Sequence, residues 1–474
     1  MRHTFTVSVA LGAVLSLAGV GTAGATTPPT TPAAGSTAAA GTAAAVPEGP
    51  HFGTMPSPCG PATDQGVPTI AEGQNGGAAL KLGVATDKGY AARSLNPDMY
   101  DAAVAFAGWC NEQGGIRGLP IEIVDLDGKL FEVPVAIEKA CAEAFAMVGG
   151  GYVFDDQMFP RFHECKMVNF AGYSVTAAAA MNNAKVEPMP NPLNDKPASW
   201  LQWAKKTHPD AITRTAIVYT DFGTTIVQKD MYKAQMAAIG GYTVVDEIPT
   251  NPAGEANWAP FAQRMKDKNV GMVTVAGSAA TVIGLFKAMR EIGFVPELVL
   301  LEGSLYTESL VAEGDAQATE GAVARNAFVP FEEPDQPAMK SYLDMMAKFN
   351  PTGNKAGLGL QATSAFLLFV VAANDCLDAN NNVLERECVL AAGKKITSWT
   401  AGGLQAETNP GQNLPPTCGL LMTIKDGKWT RLYPEIGSAD DNGSGFHCDG
   451  ADGSTHIEGN FGDPTPGIDP TRDQ

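Results

Sequence analysis

Leu80-Lys-Leu-Gly-Val-Ala85, Tyr100 to Cys110, Ile121-Glu-Ile-Val-Asp-Leu126, Val133 to Phe145 and Ala146-Met-Val148 follow one another with little between them, and their order decides the fold. The first, third and fifth are apolar runs of strand length. The second and fourth carry apolar residues at helical spacing. Gly114-Gly115 closes the first helix, where a backbone leaving a helix favours glycine. Strand-helix-strand-helix-strand is the pattern of a parallel sheet covered on both faces. Met167-Val-Asn-Phe170 adds a fourth short strand.

Downstream the rhythm restarts. Ala198 to Lys206 reads as a helix, and strands follow at Thr215 to Tyr219, Tyr242 to Asp246, Gly271 to Ala276 and Glu297 to Leu301. Helices separate them at Ile226 to Ile239, Trp258 to Lys266 and Thr281 to Glu291. Two α/β units of similar size imply two lobes. Gln336 to Phe349 and Gln361 to Cys376 read as helices without a sheet of their own, so they are expected to return to the first lobe. Leu420 to Ile424, an Asp426-Gly427 turn and Trp429 to Tyr433 read as a hairpin. The expected layout is lobe 1 over 51–205 with 330–378, lobe 2 over 206–329 with 379–436, and an acidic tail over 437–474.

The N-terminus points to export. Arg2 and His3 precede an apolar run from Val7 to Val20, and Ala23-Gly-Ala25 supplies small residues for cleavage after Ala25. The run is shorter than the roughly 20 residues a spanning helix needs. No cysteine lies near the cleavage point, so no lipid anchor is expected. Residues 26–50, rich in Ala, Thr and Pro, read as a disordered spacer. A formal charge of −19 argues against nucleic acid and anionic membrane surfaces as partners.

Eight cysteines in an exported chain imply disulfides. Cys376 and Cys388 flank a turn-rich segment, and Cys418 and Cys448 bracket the terminal hairpin and its tail. In a doubly wound sheet the first helix lies on one face and the next two on the other. Cys141 therefore pairs with Cys165, leaving Cys59 for Cys110. No Cys-x-x-Cys pair supports a metal site instead, and no cofactor is expected.

Asn111-Glu-Gln-Gly-Gly-Ile-Arg-Gly118, Asp125-Leu-Asp127, Tyr219-Thr-Asp-Phe-Gly223, Ala288-Met-Arg-Glu-Ile-Gly-Phe294 and Thr397-Ser-Trp-Thr-Ala-Gly-Gly-Leu404 occur in an ordered series. With Asn409-Pro-Gly411 and the final hairpin, they resemble the type I periplasmic solute-binding proteins, closest to the leucine/isoleucine/valine-binding group. The resemblance spans roughly Leu80 to Pro434. It implies two doubly wound parallel-sheet α/β lobes joined by hinge crossovers, with a ligand in the cleft between them. It also implies a membrane ABC permease as partner.

Loops at the carboxyl ends of the strands supply the candidate ligand residues. Tyr90 or Arg93 is placed at the cleft rim. Gly151, Tyr152 and Phe154 come from the glycine-rich loop, where Asp155 or Asp156 is suited to cap a helix. Gly172, Tyr173 and Ser174 occupy the loop in which the family contacts an amino-acid carboxylate. Asp221 and Phe222 come from the second lobe, and Glu302 stands where the amino-acid binders pair a carboxylate with the ligand ammonium. The glycine-rich loop departs from the serine- and threonine-rich loop of the amino-acid binders. Tyr152, Phe154, Tyr173 and Phe222 are instead expected to line an apolar or aromatic slot.

No nucleophile elbow, His-Glu-x-x-His helix or phosphate loop is present, so no catalytic residue is assigned. Asp378, Asn380 and Asn382 imitate the start of a calcium loop, but Val383 stands in the glycine position. The expected function is an exported, monomeric solute-binding protein of an ABC importer, taking an amino acid or a related amide or aromatic compound. A ligand sensor feeding a membrane signalling protein is the alternative, and an exported enzyme on the same scaffold a weaker one.

Overall fold

The computed structural model describes residues 45–91, 94–312 and 316–472. The leader, its cleavage point, most of the 26–50 spacer and Arg93 lie outside the described residues.

Leu80–Thr86 (β1), Ile121–Asp127 (β2), Ala146–Val148 (β3), Asn169–Phe170 (β4) and Lys185–Val186 (β5) form an all-parallel sheet in the order β2-β1-β3-β4-β5. Every residue of β1 except Lys81 is buried, as a strand covered on both faces requires. Pro97–Glu112 (α1) and Val133–Glu143 (α2) cover the sheet, each with proline in its first turn, where no backbone donor is missed. β5 is a strand that sequence reading did not identify.

The second sheet repeats the order. Thr215–Thr220 (β6), Val244–Thr250 (β7), Met272–Ala276 (β8), Leu298–Leu301 (β9) and Val323–Asn326 (β10) pair in parallel as β7-β6-β8-β9-β10. Cys418–Lys425 (β11) then adds antiparallel to β10, and Lys428–Tyr433 (β12) to β11. Asp426 and Gly427 both take positive φ, the backbone that a two-residue hairpin with matched strand twist needs. Ser199–Thr207 (α3), Gly223–Ile239 (α4), Ala259–Asp267 (α5) and Ala279–Glu291 (α6) belong to this lobe.

Pro337–Phe349 (α7) and Gly357–Ala379 (α8) return to lobe 1 and pack on α1. Among the described residues α8 alone is long and apolar enough to cross a membrane, but it is a core helix, mostly buried against α1, β3 and β4.

Two lobe boundaries differ from the sequence reading. α3, placed at the end of lobe 1, buries Trp200 and Leu201 with Ile217 and Tyr232 of lobe 2. Arg386–Gly393 (α9), placed in lobe 2, packs on lobe 1. There the buried Arg386 donates to the carbonyls of Phe145 (2.6 Å), Cys165 (2.8 Å) and Ala144 (2.9 Å). The chain therefore crosses between the lobes within 187–198, 327–336 and 394–417.

The acidic C-terminal segment is folded onto both lobes. His447–Cys448 pairs with β11. Ser454–His456 then pairs antiparallel with Asp195–Pro197 of the first crossover. Ile457 and Phe461 are buried with Ala177 and Ala180 of lobe 1 and Leu193 of the first crossover, and Val227 and Met231 of α4 in lobe 2 pack on the same cluster. The segment ends on lobe 1, where Lys166 reaches Asp469 (2.9 Å) and Arg472 reaches Glu387 (2.8 Å).

Disulfides join Cys59 to Cys110, Cys141 to Cys165, Cys376 to Cys388 and Cys418 to Cys448. The last fastens the C-terminal segment to β11, and the first ties the N-terminal arm to α1.

Phe461→Ala removes the largest apolar group of the interlobe cluster and is expected to destabilise the protein by about 3 kcal/mol. Urea unfolding measures the loss. Hydrogen exchange at 454–456 should rise in the variant, and unchanged protection there would mean that the segment does not depend on this wedge.

Candidate functional site

The carboxyl ends of both sheets face a single cavity of about 650 Å³ between the lobes. Lobe 1 contributes Asn96, Asp98, Tyr173 and Ser174. Lobe 2 contributes Tyr232, Glu302 and Arg325, and the first crossover contributes Glu187, Asn191 and Lys196. Trp200, Trp203, Met189, Met231, Phe328 and Leu358 give the walls apolar area. Such a combination of apolar lining and a few convergent polar groups is what small-ligand sites share.

The polar groups form a connected series. Lys185 and Glu187, alternate residues of extended chain and almost wholly buried, make an ion pair of 2.6 Å. Ser174 Oγ sits against both, accepting from Lys185 Nζ and donating to Glu187, each at 3.1 Å. Asn191 Nδ2 donates to the Ser174 carbonyl (3.0 Å), and its Oδ1 accepts from Lys196 Nζ at 2.7 Å. Across the cavity Arg325 pairs with Glu302 at 2.6 Å and lies over the Trp200 ring, 5.6 Å from its centroid. The Arg325 Nε and the Gln361 side-chain oxygen are buried without a partner.

Two carboxyls fix the loops. Asp98, buried at the start of α1, accepts from the Gly359 N–H at 2.6 Å in the first turn of α8, and burial pushes its pKa up to about 6. Asp155 accepts from the N–H groups of Val175 (2.7 Å) and Thr176 (3.0 Å) and from the Thr176 hydroxyl (2.6 Å). It thus holds the loop that presents Tyr173 and Ser174, and burial pushes it up to about 7.

Of the residues singled out from sequence, Tyr173, Ser174 and Glu302 line the cavity. Glu302 is already paired with a cation: one oxygen accepts from Arg325, and the other accepts from Gly303 N–H at 2.8 Å. The glycines serve packing rather than ligand approach. A side chain at Gly151 would meet the Tyr173 ring at 2.8 Å, and one at Gly172 would meet the Met99 side chain at 2.2 Å.

The expected aromatic slot does not form as a whole. Tyr152 is a core residue whose hydroxyl donates to the Leu126 carbonyl at 2.9 Å. Tyr90, Phe131, Phe154 and Phe222 instead form a ladder from lobe 1 to lobe 2, with centroids 5.3–6.0 Å apart, outside the cavity lining. Asp221 is exposed beside it. Lys185, Glu187, Lys196 and Arg325 were missed by sequence reading. The available signal was three charged residues, Lys185, Glu187 and Lys196, in a proline-rich stretch with no helical or strand period.

An acid whose pKa is raised on folding holds its proton more tightly in the folded state. The stability it supports is complete below the unfolded value, about pH 4, and declines as pH rises through about 7. Asp155→Asn should remove that slope. The stability difference between the two proteins, from urea unfolding at about pH 4, 6 and 8, is expected to move in the variant's favour as pH rises. Parallel curves would show that burial does not govern this carboxyl.

Comparison with known proteins places the chain. A family model described as periplasmic binding protein matches residues 173–428, more than half of it. No curated protein matches the chain by sequence. A fatty acid ABC transporter substrate-binding protein from Thermomonospora curvata superposes with a TM-score of 0.62 at 18% identity, over 80% of this chain and 97% of that one. The leucine-binding protein LivK of Thermotoga maritima gives 0.59 at 14%, over 75% and 98%. A solute-binding protein of an ABC transporter from R. palustris, in complex with 4-hydroxybenzoate, gives 0.59 at 18%, over 75% and 96%. With its paired 2-1-3-4-5 sheets and interlobe cavity, the chain belongs to the periplasmic binding protein family, in its type I group.

Proposed function

We propose that this protein is the extracytoplasmic receptor of an ABC importer, exported through its N-terminal leader and acting as a monomer. It closes its lobes on a small organic solute and delivers it to a membrane permease. The observation that carries this reading is the single cavity lined from both lobes and from the first crossover. A ligand touching both walls makes its full set of contacts only when the lobes are together, so its binding free energy favours the closed state. The similar structures are named as a fatty acid ABC transporter substrate-binding protein, a leucine-binding protein, and an ABC transporter solute-binding protein in complex with 4-hydroxybenzoate.

A sensor would use the same closure and differ only in the partner that reads it. The permease reading is preferred because the similar structures named for a system are named for ABC transporters.

The mature chain should bind one solute class from a panel of amino acids, amides, and aliphatic and aromatic carboxylates. A ligand at about a hundred times its Kd stabilises the folded state by about 2.7 kcal/mol, which a thermal shift detects. Small-angle scattering of the same samples should show the radius of gyration fall. Trp200 and Trp203 line the cavity, so intrinsic fluorescence should change in step. Saturable binding with no compaction and no change in tryptophan signal would rule out closure on this cavity.

A further inference from the structure

Burying a charge without an opposite charge is costly, and proteins rarely leave one so. Of the cations in and beside this cavity, each but one is paired with a carboxylate among the described residues. Lys185 has Glu187 at 2.6 Å, and Arg325 has Glu302 at 2.6 Å. Lys196 is the exception. It is 6% exposed, and among the described residues no carboxylate lies within 4.0 Å of its ammonium. Its hydrogen-bond partner is a neutral amide, Asn191 Oδ1.

Lys196 is also held in place from outside. It is the central residue of Asp195–Pro197, which pairs with Ser454–His456 of the C-terminal segment. Pro197 comes next in the chain, restricting the backbone to extended conformations. The ammonium is therefore presented to the cavity by a two-stranded ladder at the crossover rather than by a mobile loop.

We propose that Lys196 receives the anionic group of the ligand, and that the cavity takes a carboxylate with a large apolar body. The proposal rests on the receptor reading above and narrows it. Of the lining carboxylates, Glu302 is already paired with Arg325 and Glu187 with Lys185. Trp200, Met189, Met231 and Leu358 offer the apolar body its wall, and about 650 Å³ accommodates far more than an acetate-sized ion. Burial lowers the Lys196 pKa to about 8, with Glu187 and Glu302 opposing that shift and Lys185 and Arg325 adding to it. An arriving carboxylate raises it again, so affinity should fall as pH climbs past about 8.

The test uses the full mature chain and calorimetry with dodecanoate, benzoate, their methyl esters, dodecanol and leucine. A carboxylate should bind at least tenfold more tightly than its ester, since a charge-assisted hydrogen bond outweighs a neutral one. Dodecanoate binding marks an aliphatic ligand, and benzoate binding an aromatic one.

Lys196→Met should lower carboxylate affinity tenfold to a hundredfold and ester affinity by less, while Lys196→Arg restores part of the loss. Because the variant removes an uncompensated buried charge, its unliganded melting temperature should rise, so lost binding cannot be ascribed to misfolding. Equal affinity for acid and ester, or undiminished acid binding by Lys196→Met, overturns the proposal. Binding and compaction with leucine or neutral compounds alone overturns it while the receptor reading stands. Failure of every compound, with no compaction, removes both.

Discussion

Charge buried between two lobes has to be answered locally, and that constraint organises the cleft. The Lys185–Glu187 pair is almost sealed from solvent, and Ser174 is placed by hydrogen bonds to both of its members. Ser174 in turn anchors Asn191, which positions Lys196. One ion pair thus sets the geometry of a lobe 1 loop and of the first crossover. Removing either partner would strand the other in a nearly dry site, a cost of several kcal/mol that a surface pair would not incur.

The crossovers carry a second demand. A chain segment leaving one sheet for another has no ladder to satisfy its backbone, so it needs local partners. The first crossover is stiffened by Pro188, Pro190, Pro192 and Pro197 and gains a strand partner at Ser454–His456. The third is pinned by Gln405, whose side chain donates to the Pro188 carbonyl (2.8 Å) and accepts from Ser364 of α8 (2.6 Å). Two crossovers and a lobe 1 core helix are thereby linked by one buried amide. Rigid crossovers confine lobe movement to a few backbone positions, which is how hinge proteins move as bodies.

Much of this was legible in the sequence, for identifiable reasons. Most strands and helices of both sheets, though not β5 or β10, were readable because apolar period and glycine punctuation are local properties. Cys141–Cys165 and Cys59–Cys110 followed from helix order in a doubly wound sheet, and the other two pairs from proximity along the chain. What failed were inferences about where side chains end up. Gly150 and its neighbours suggested a ligand-contacting loop, yet a side chain at Gly150 would meet the Ala85 backbone at 2.3 Å, so close strand packing demands the glycine. Glu302 was expected to be free, but Arg325 lies on β10, adjacent to β9, and only the sheet register brings the two together. Lys196 gave no pattern to read, because its isolation is a property of the closed surface around it.

The C-terminal segment changes the energetics of the hinge. Ile457 and Phe461 bury against Ala177 and Ala180 of lobe 1 on one side and α4 of lobe 2 on the other. Separating the lobes at this point would expose both residues, at about 25 cal/mol for each Å² of apolar surface returned to water. The Phe154–Phe222 contact adds a smaller area to the same effect. Opening is therefore opposed by apolar contacts that do not involve the ligand, while the buried ammonium of Lys196 opposes a closed, empty cavity. The two effects act in opposite directions at sites joined through the ladder of Asp195–Pro197 and Ser454–His456. Where the two effects are of similar size, the modest differential binding of one solute suffices to move the population.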